Sequence, residues 1–287
     1  MNNNNSLLSH REEEPENGIL YIVGTPIGNL NDISQRALNI LNNVSIVACE
    51  DTRQTKKLMN KFNISNKLIS FNKNNSSFKI PKIIKYLKEG KSAAIVSDAG
   101  MPGICDPGED ITRSLKNEGI DTICVPGACA AITALVSSGL PSSSFVFEGF
   151  LPKKQIDREK ILLEISKNEK TTIFYESPKR LKKLLKQLFE FCGGEREIIV
   201  ARELTKKFEE HIGNNINDVI KYFDDKEIIG EITIVLKGIQ KGDLNIDKLT
   251  IKKDLNFLTN AGLSLSAASK YLAKKNGIKK SEIYKMI

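Results

Sequence analysis

Histidine is scarce. Only His10 and His211 occur in 287 residues, which argues against a hydrolase built on a histidine triad and against a multi-histidine metal site. The five cysteines, Cys49, Cys105, Cys124, Cys129 and Cys192, include no Cys-x-x-Cys pair. With no export signal the compartment reads as reducing, so neither disulfides nor zinc are expected. Cys49 and Cys124 lie in apolar runs and read as small core residues. No window approaches the roughly 20 continuous apolar residues of a membrane span. Residues 1–17 are Asn-rich, then acidic; they lack the basic start and apolar core of a signal peptide and read as a disordered tail. The expected location is the cytoplasm. There is no Gly-x-Gly-x-x-Gly fingerprint and no Gly-Lys-Ser/Thr phosphate loop. Internal repeats and coiled-coil heptads are also missing.

What is present fits a globular chain of about two domains. Hydrophobic residues make up 40% and charged residues 27%, with a formal net charge of +8. The charge is uneven: from Ile239 onward there are ten Lys against four Asp and Glu, a balance of +6. Such a surface favours an anionic partner, nucleic acid being the commonest. A lysine-rich composition throughout, with many Asn and Ile, is the plainer reading of the same count.

Short β-branched runs alternate with helical patterns. Strands are predicted at 19–23, 44–49, 67–71, 92–97 and 120–125. Helices are predicted at 32–41, 52–61, 79–88, 110–117 and 128–138. Such alternation indicates a parallel sheet with helices on both faces. A second set follows, with strands at 145–150, 171–175, 197–201 and 231–237 and helices at 157–167, 178–191 and 219–223. The expected organisation is an N-terminal α/β domain over 18–138, a linker at 139–144, a C-terminal α/β domain over 145–239 and a basic helical segment over 247–287.

The polar residues cluster where these strands end. Gly24-Thr25-Pro26-Ile27-Gly28-Asn29-Leu30 follows the first strand, the end at which open α/β sheets bind ligands. Glu50-Asp51-Thr52-Arg53 follows the second. Asp51 or Thr52 would cap the next helix, which leaves Glu50 and Arg53 unexplained, and charges buried without partners are costly. Ser97-Asp98-Ala99-Gly100-Met101-Pro102-Gly103-Ile104-Cys105-Asp106-Pro107-Gly108 is the strongest local signal. Its glycines permit close approach to a ligand, and its prolines reduce the entropy lost on binding. It holds no Lys or Arg, so its ligand is neutral or cationic, with Asp98 accepting hydrogen bonds. Pro126-Gly127-Ala128-Cys129-Ala130 opens a helix on small residues whose free amides point outward. Cys129 has no partnering histidine and does not read as a nucleophile.

Together with Tyr175-Glu176-Ser177-Pro178 and Ala201-Arg202-Glu203-Leu204-Thr205-Lys206, this ordered set resembles the 2′-O-ribose cytidine methyltransferases of small-subunit ribosomal RNA, a branch of the tetrapyrrole methylase superfamily. The resemblance spans residues 20–239. It implies two α/β domains with the cofactor cleft between them and a helical C-terminal segment. S-adenosylmethionine would be held by Pro26, Asp98, Ala99, Gly100, Pro102, Gly103, Ile104 and Ala130, with no metal required. It further implies a homodimer acting on a decoding-centre cytidine of 16S rRNA within the small subunit. Glu50 or Glu203 is expected to take the hydroxyl proton, with Arg53 and Lys206 contacting phosphate or the developing oxyanion. The alternatives are methylation of a tetrapyrrole or other small molecule by the same fold, and a non-catalytic RNA-binding module. The basic segment and the Glu-Asp-Thr-Arg block argue against the first; affinity for S-adenosylmethionine would exclude the second.

Overall fold

Two five-stranded sheets are built from residues 20–236. The structure, a computed structural model, describes residues 13–239, 248–276 and 280–284. Strands β1 (Leu20–Val23), β2 (Ile46–Cys49), β3 (Leu68–Ser70), β4 (Ala93–Val96) and β5 (Thr122–Val125) form a wholly parallel sheet in the order β3-β2-β4-β1-β5. All residues of β2 and β4 are buried, as helices on both faces of a parallel sheet require. The alternation of side chains splits the core. Tyr21 and Val23 face α1 (Gln35–Asn43) and α2 (Thr52–Lys61). Leu20 faces α3 (Ser76–Lys88) and α4 (Glu109–Asn117). α1 buries Ala37, Ile40 and Leu41, one helical face, and Ser34 caps it by accepting from the Ala37 amide at 3.1 Å. Each fully buried leucine or isoleucine contributes roughly 1.5–3 kcal/mol.

The second sheet differs from the simple alternation read in the sequence. Its strands are β6 (Phe145–Phe150), β7 (Thr171–Glu176), β8 (Glu197–Arg202), β9 (Glu210–Asn215) and β10 (Ile232–Leu236), in the order β6-β7-β10-β8-β9. Only β6 and β7 are parallel; β10 is antiparallel to both neighbours and β9 to β8. β9 was not expected. Its sequence, Glu-His-Ile-Gly-Asn-Asn, buries only Ile212 and is held in place by pairing with β8. α6 (Gln155–Lys167), α7 (Pro178–Cys192) and α8 (Ile216–Phe223) cover one face. The other face packs on α5 (Ala130–Ser138), which follows β5 of the first sheet: Ala131, Ala134 and Leu135 meet Ile173, Ala201 and Val235. That helix, together with Ile27 and Leu204 in the same cluster, fastens the two sheets together.

Cys49 is buried as expected, but Cys124 is exposed, because β5 is an edge strand whose residues are only partly covered. Residues 1–12 of the expected tail lie outside the described residues. The stretch just after them is pinned: Arg36 holds the Glu14 carboxylate through two bonds of 2.7 Å, and the Glu16 amide donates to the Tyr21 hydroxyl. Residues 239–287 form a separate compact unit. Its helices α9 (Lys248–Asn260), α10 (Leu265–Asn276) and α11 (Lys280–Tyr284) bury Ile251, Leu255, Ala268, Leu272 and Ile283. No helix among the described residues is long and apolar enough to cross a membrane.

Candidate active site

All five parallel strands end on one side, so the loops after β1, β2, β4 and β5 gather there. They are tied to one another directly. Thr25 and Gly100 exchange backbone hydrogen bonds of 2.9 and 3.1 Å, an isolated antiparallel bridge. The Thr25 hydroxyl donates to the Ser97 and Gly100 carbonyls. The Asp51 amide donates to Asp98 Oδ1 at 3.0 Å. Gly24 and Gly127 touch backbone to backbone; a β-carbon on Gly127 would fall 2.8 Å from Gly24 Cα. Side chains are excluded there because the loops must meet.

These loops form one wall of a cleft of about 520 Å³, within the range of small-molecule sites. The second sheet supplies the opposite wall. β6 and β7 end at the cleft with Phe150, Tyr175 and Glu176, and antiparallel β10 begins beside them, with Ile232 in register with Glu176. The Tyr175 and Phe150 rings lie 5.5 Å apart. The Tyr175 hydroxyl accepts from the Ala131 amide at 3.2 Å, in the first turn of α5, and burial pushes its phenol pKa well up. Glu176 is fully buried and paired with Arg180, one turn along α7.

The first wall is acidic. Glu50, Asp98 and Asp106 all face the cleft. Burial raises the Glu50 pKa above the ordinary carboxylate value, and the charges of Asp106 and Asp98 raise it further. Lys73 opposes them; its ammonium lies 3.2 Å from the Cys105 carbonyl. Burial likewise raises Asp106. A cleft with five acidic residues in its lining (Glu50, Asp98, Asp106, Glu176 and Glu231), aromatic rings and no lysine or arginine suits a cationic, partly aromatic ligand.

The expected site residues separate into groups. Glu50, Asp98, Ala99, Gly100, Ile104 and Ala130 line this cleft. Pro26 lines an adjoining depression with Ile27, Asp98 and Ala99. Pro102 and Gly103 face another, beside Glu109 and Thr112 of α4. Arg53 turns away from Glu50: its guanidinium grips Asp51 at 2.6 and 3.0 Å, which holds the Asp51 carboxyl at about 2. Asp51 also caps α2, its side chain accepting from the Arg53 amide. Glu203 and Lys206 pair at 2.9 Å, and Lys206 also reaches Glu231 at 3.0 Å. Burial alone would raise the Glu203 pKa, but the Lys206 ammonium and the Glu231 amide outweigh it and leave Glu203 below its usual value. These residues clasp the first wall: the Asn29 amide donates to the Thr205 hydroxyl at 3.0 Å, and Gly28 lies against Lys206 and Thr205. Glu203 and Thr205 both hold positive φ, at 53° and 65°, a conformation that non-glycine residues adopt only where surroundings impose it.

Phe150 and residues 230–233 were not foreseen. Nothing local marks them; they reach the cleft because the second sheet folds over the first. Tyr175 and Glu176 had a signal, the polar residues at a strand end, without an assigned role.

This arrangement is that of a methyltransferase fold class. The model of the tetrapyrrole (corrin/porphyrin) methylases matches residues 19–220, and the chain belongs to that family. Within it the chain is 44% identical, over 93% of both chains, to the Vibrio cholerae protein named ribosomal RNA small subunit methyltransferase I. A Thermotoga maritima protein of the same name is 46% identical over 77% of this chain and 99% of its own. In fold the chain is similar to uroporphyrin-III C-methyltransferase from Thermus thermophilus, solved with S-adenosyl homocysteine. That likeness has a TM-score of 0.54 at 14% identity and covers 76% of this chain and 96% of the other. The chain is an S-adenosylmethionine-type methyltransferase by family.

Proposed function

We propose that this protein methylates the ribose 2′-hydroxyl of a cytidine in the decoding centre of 16S rRNA, within the small ribosomal subunit, using S-adenosylmethionine. The observation that carries the reading is the acidic, aromatic cleft in a chain 44–46% identical to proteins named for small-subunit rRNA. Likeness to a tetrapyrrole enzyme extends only to the fold.

S-adenosylmethionine, when bound, supplies an electrophilic methyl group on a sulfonium. Asp98, Ala99, Gly100, Ile104 and Ala130 would hold it in the cleft, with Pro26, Pro102 and Gly103 stiffening the surrounding loops. Tyr175 and Phe150 offer ring faces, and the carboxylates offset its positive charge. Of the two candidate bases, Glu50 fits better than Glu203. A general base works best with a pKa moved towards the working pH; Glu50 is raised, has no ion pair among the described residues and faces the cleft. Glu203 is lowered and bound to Lys206. Glu50 would accept the 2′-hydroxyl proton as the oxygen attacks the methyl carbon and the sulfur keeps the bonding electron pair. Glu203 and Lys206 would instead hold the two walls in register, and Arg53 would set the Asp51 turn beside Glu50.

In this reading 18–138 and 145–239 make the cleft across the 139–144 linker, and 247–287 adds affinity for rRNA. The protein would act in the cytoplasm as a homodimer; the exposed Ile132 and Val136 on α5 support a self-association surface. Mass mapping of 16S rRNA from cells lacking the protein tests the central claim: one ribose methyl should be missing from a decoding-centre cytidine, and an unchanged map would refute it.

A further inference from the structure

A second depression, of about 470 Å³, opens beside the cleft and shares Ile27, Asp98, Ala99 and Glu231 with it. Its far wall is α2, through Gln54, Lys57 and Leu58. The sides are apolar: Pro26 and Ile27 on one, Leu58 on the other, with the exposed Leu30 at the edge. The two ends carry opposite charge, carboxylates where it meets the cleft and lysine where it meets solvent.

α2 reads Thr-Arg-Gln-Thr-Lys-Lys-Leu-Met-Asn-Lys and holds no acid. Arg53 is neutralised by Asp51. Lys56, Lys57 and Lys61 are exposed, and none forms an ion pair among the described residues; Lys57 Nζ meets only Gln54 Oε1, at 3.4 Å. On the other flank of α2 lies a further depression of about 400 Å³, lined by Arg53, Lys56, Asn60, Ser65 and Asn66. The helix is thus a basic ridge between two polar-rimmed hollows, at the mouth of an acidic cleft.

We infer that α2 is the track for a single-stranded RNA backbone, with Lys56 and Lys57 on phosphates, and that the hollow between α2 and the Pro26 loop seats the acceptor nucleotide. The base lies between the Leu58 side and the Pro26 and Ile27 side. The ribose then sits against Asp98, at the boundary with the cleft where Glu50 stands. The inference rests on the rRNA reading above and locates its acceptor subsite. It also places RNA contact within residues 19–220, the part of the chain that the family model matches.

The test compares two double variants of the full chain. Lys56→Gln/Lys57→Gln removes two charges from the ridge; Lys183→Gln/Lys186→Gln removes two from α7, outside all these hollows. Binding to unmethylated small subunits is measured across salt concentration, and S-adenosylhomocysteine binding by calorimetry. The ridge variant should flatten the slope of log K against log salt by about 1.4, from two single-strand phosphate contacts. Its S-adenosylhomocysteine affinity should stay that of the parent, and the α7 variant should keep the parent slope. Leu58→Ala should raise the KM for subunits with the salt slope unchanged. An unchanged slope in the ridge variant, or an equal loss in the α7 variant, overturns the inference while the parent enzyme still methylates subunits. A parent enzyme that transfers no methyl group to subunits would sink the underlying reading instead.

Discussion

Gly127→Ala is the sharpest perturbation the cleft offers. The new β-carbon would lie 2.8 Å from Gly24 C and Cα and 3.0 Å from Gly24 O. All three are backbone atoms, so no flexible side chain can yield, and the two loops must part by about half an ångström to reach the 3.4 Å of ordinary contact. Gly127 has no positive φ, so the effect is steric alone. Overpacking of this kind costs about 1–3 kcal/mol, which for a unit of this size lowers Tm by roughly 2–12 °C. Displacing two cleft loops together should also weaken S-adenosylhomocysteine binding by about tenfold or more, since shifts near 1 Å cost on the order of 100-fold in positioned sites. The comparison variant is Gly119→Ala, at the other end of β5. Gly119 has φ +68° and open space around it, so alanine there strains the backbone by about 1 kcal/mol without touching the cleft. Thermal unfolding and calorimetry on both variants separate the two effects. Parent-like ligand affinity in Gly127→Ala would refute the claim that this glycine contact shapes the cleft.

Three further outcomes follow from the same geometry. Glu50→Gln should lower methyl transfer by about 100-fold or more with cofactor affinity retained. In the parent enzyme the protonated Glu50 is the inactive form, so activity should fall as pH drops through a pKa above the ordinary value of about 4.3; an acid limb unaltered in Glu50→Gln would exclude Glu50 as the base. Arg180→Met leaves the fully buried Glu176 carboxylate without its partner and should destabilise by about 3 kcal/mol, read from denaturant unfolding; a loss below about 1 kcal/mol would contradict that. Deleting residues 247–287 should weaken subunit binding and reduce its salt dependence, measured by filter binding; identical curves would remove that segment from RNA recognition.

The inner strands of the first sheet, β1, β2 and β4, were legible because they are buried on both faces and so read as unbroken apolar runs, each followed within two residues by Gly or an acid. α2 was legible to the residue, since Asp51 both ends the preceding loop and caps the helix. β9 was not, because an edge strand with one buried side chain has no hydrophobic pattern to detect. Cys124 misled for the converse reason: an apolar run at a sheet edge buries only part of itself. In the site, Glu50 and the Asp98 loop stood out because carboxylates and glycines at strand ends are locally odd. The partner of Arg53 did not, since Glu50 and Asp51 both lie within three residues of it and only the cap geometry of α2 decides between them. The Phe150 and 230–233 wall depends on how one sheet docks on another, through α5, and that is written in no short stretch of sequence.

The bridge between Thr25 and Gly100 makes part of the cleft wall an extension of the sheet. Its two amides are donors to each other's carbonyls, so they exchange with solvent only when that bridge opens. Their protection in hydrogen-exchange experiments should match that of core strand amides, although both lie in loops. The chamber then has the lifetime of the domain rather than that of a loop. Mild heating that frays the edge strand β9 would leave it assembled, and it would vanish only in the global unfolding event.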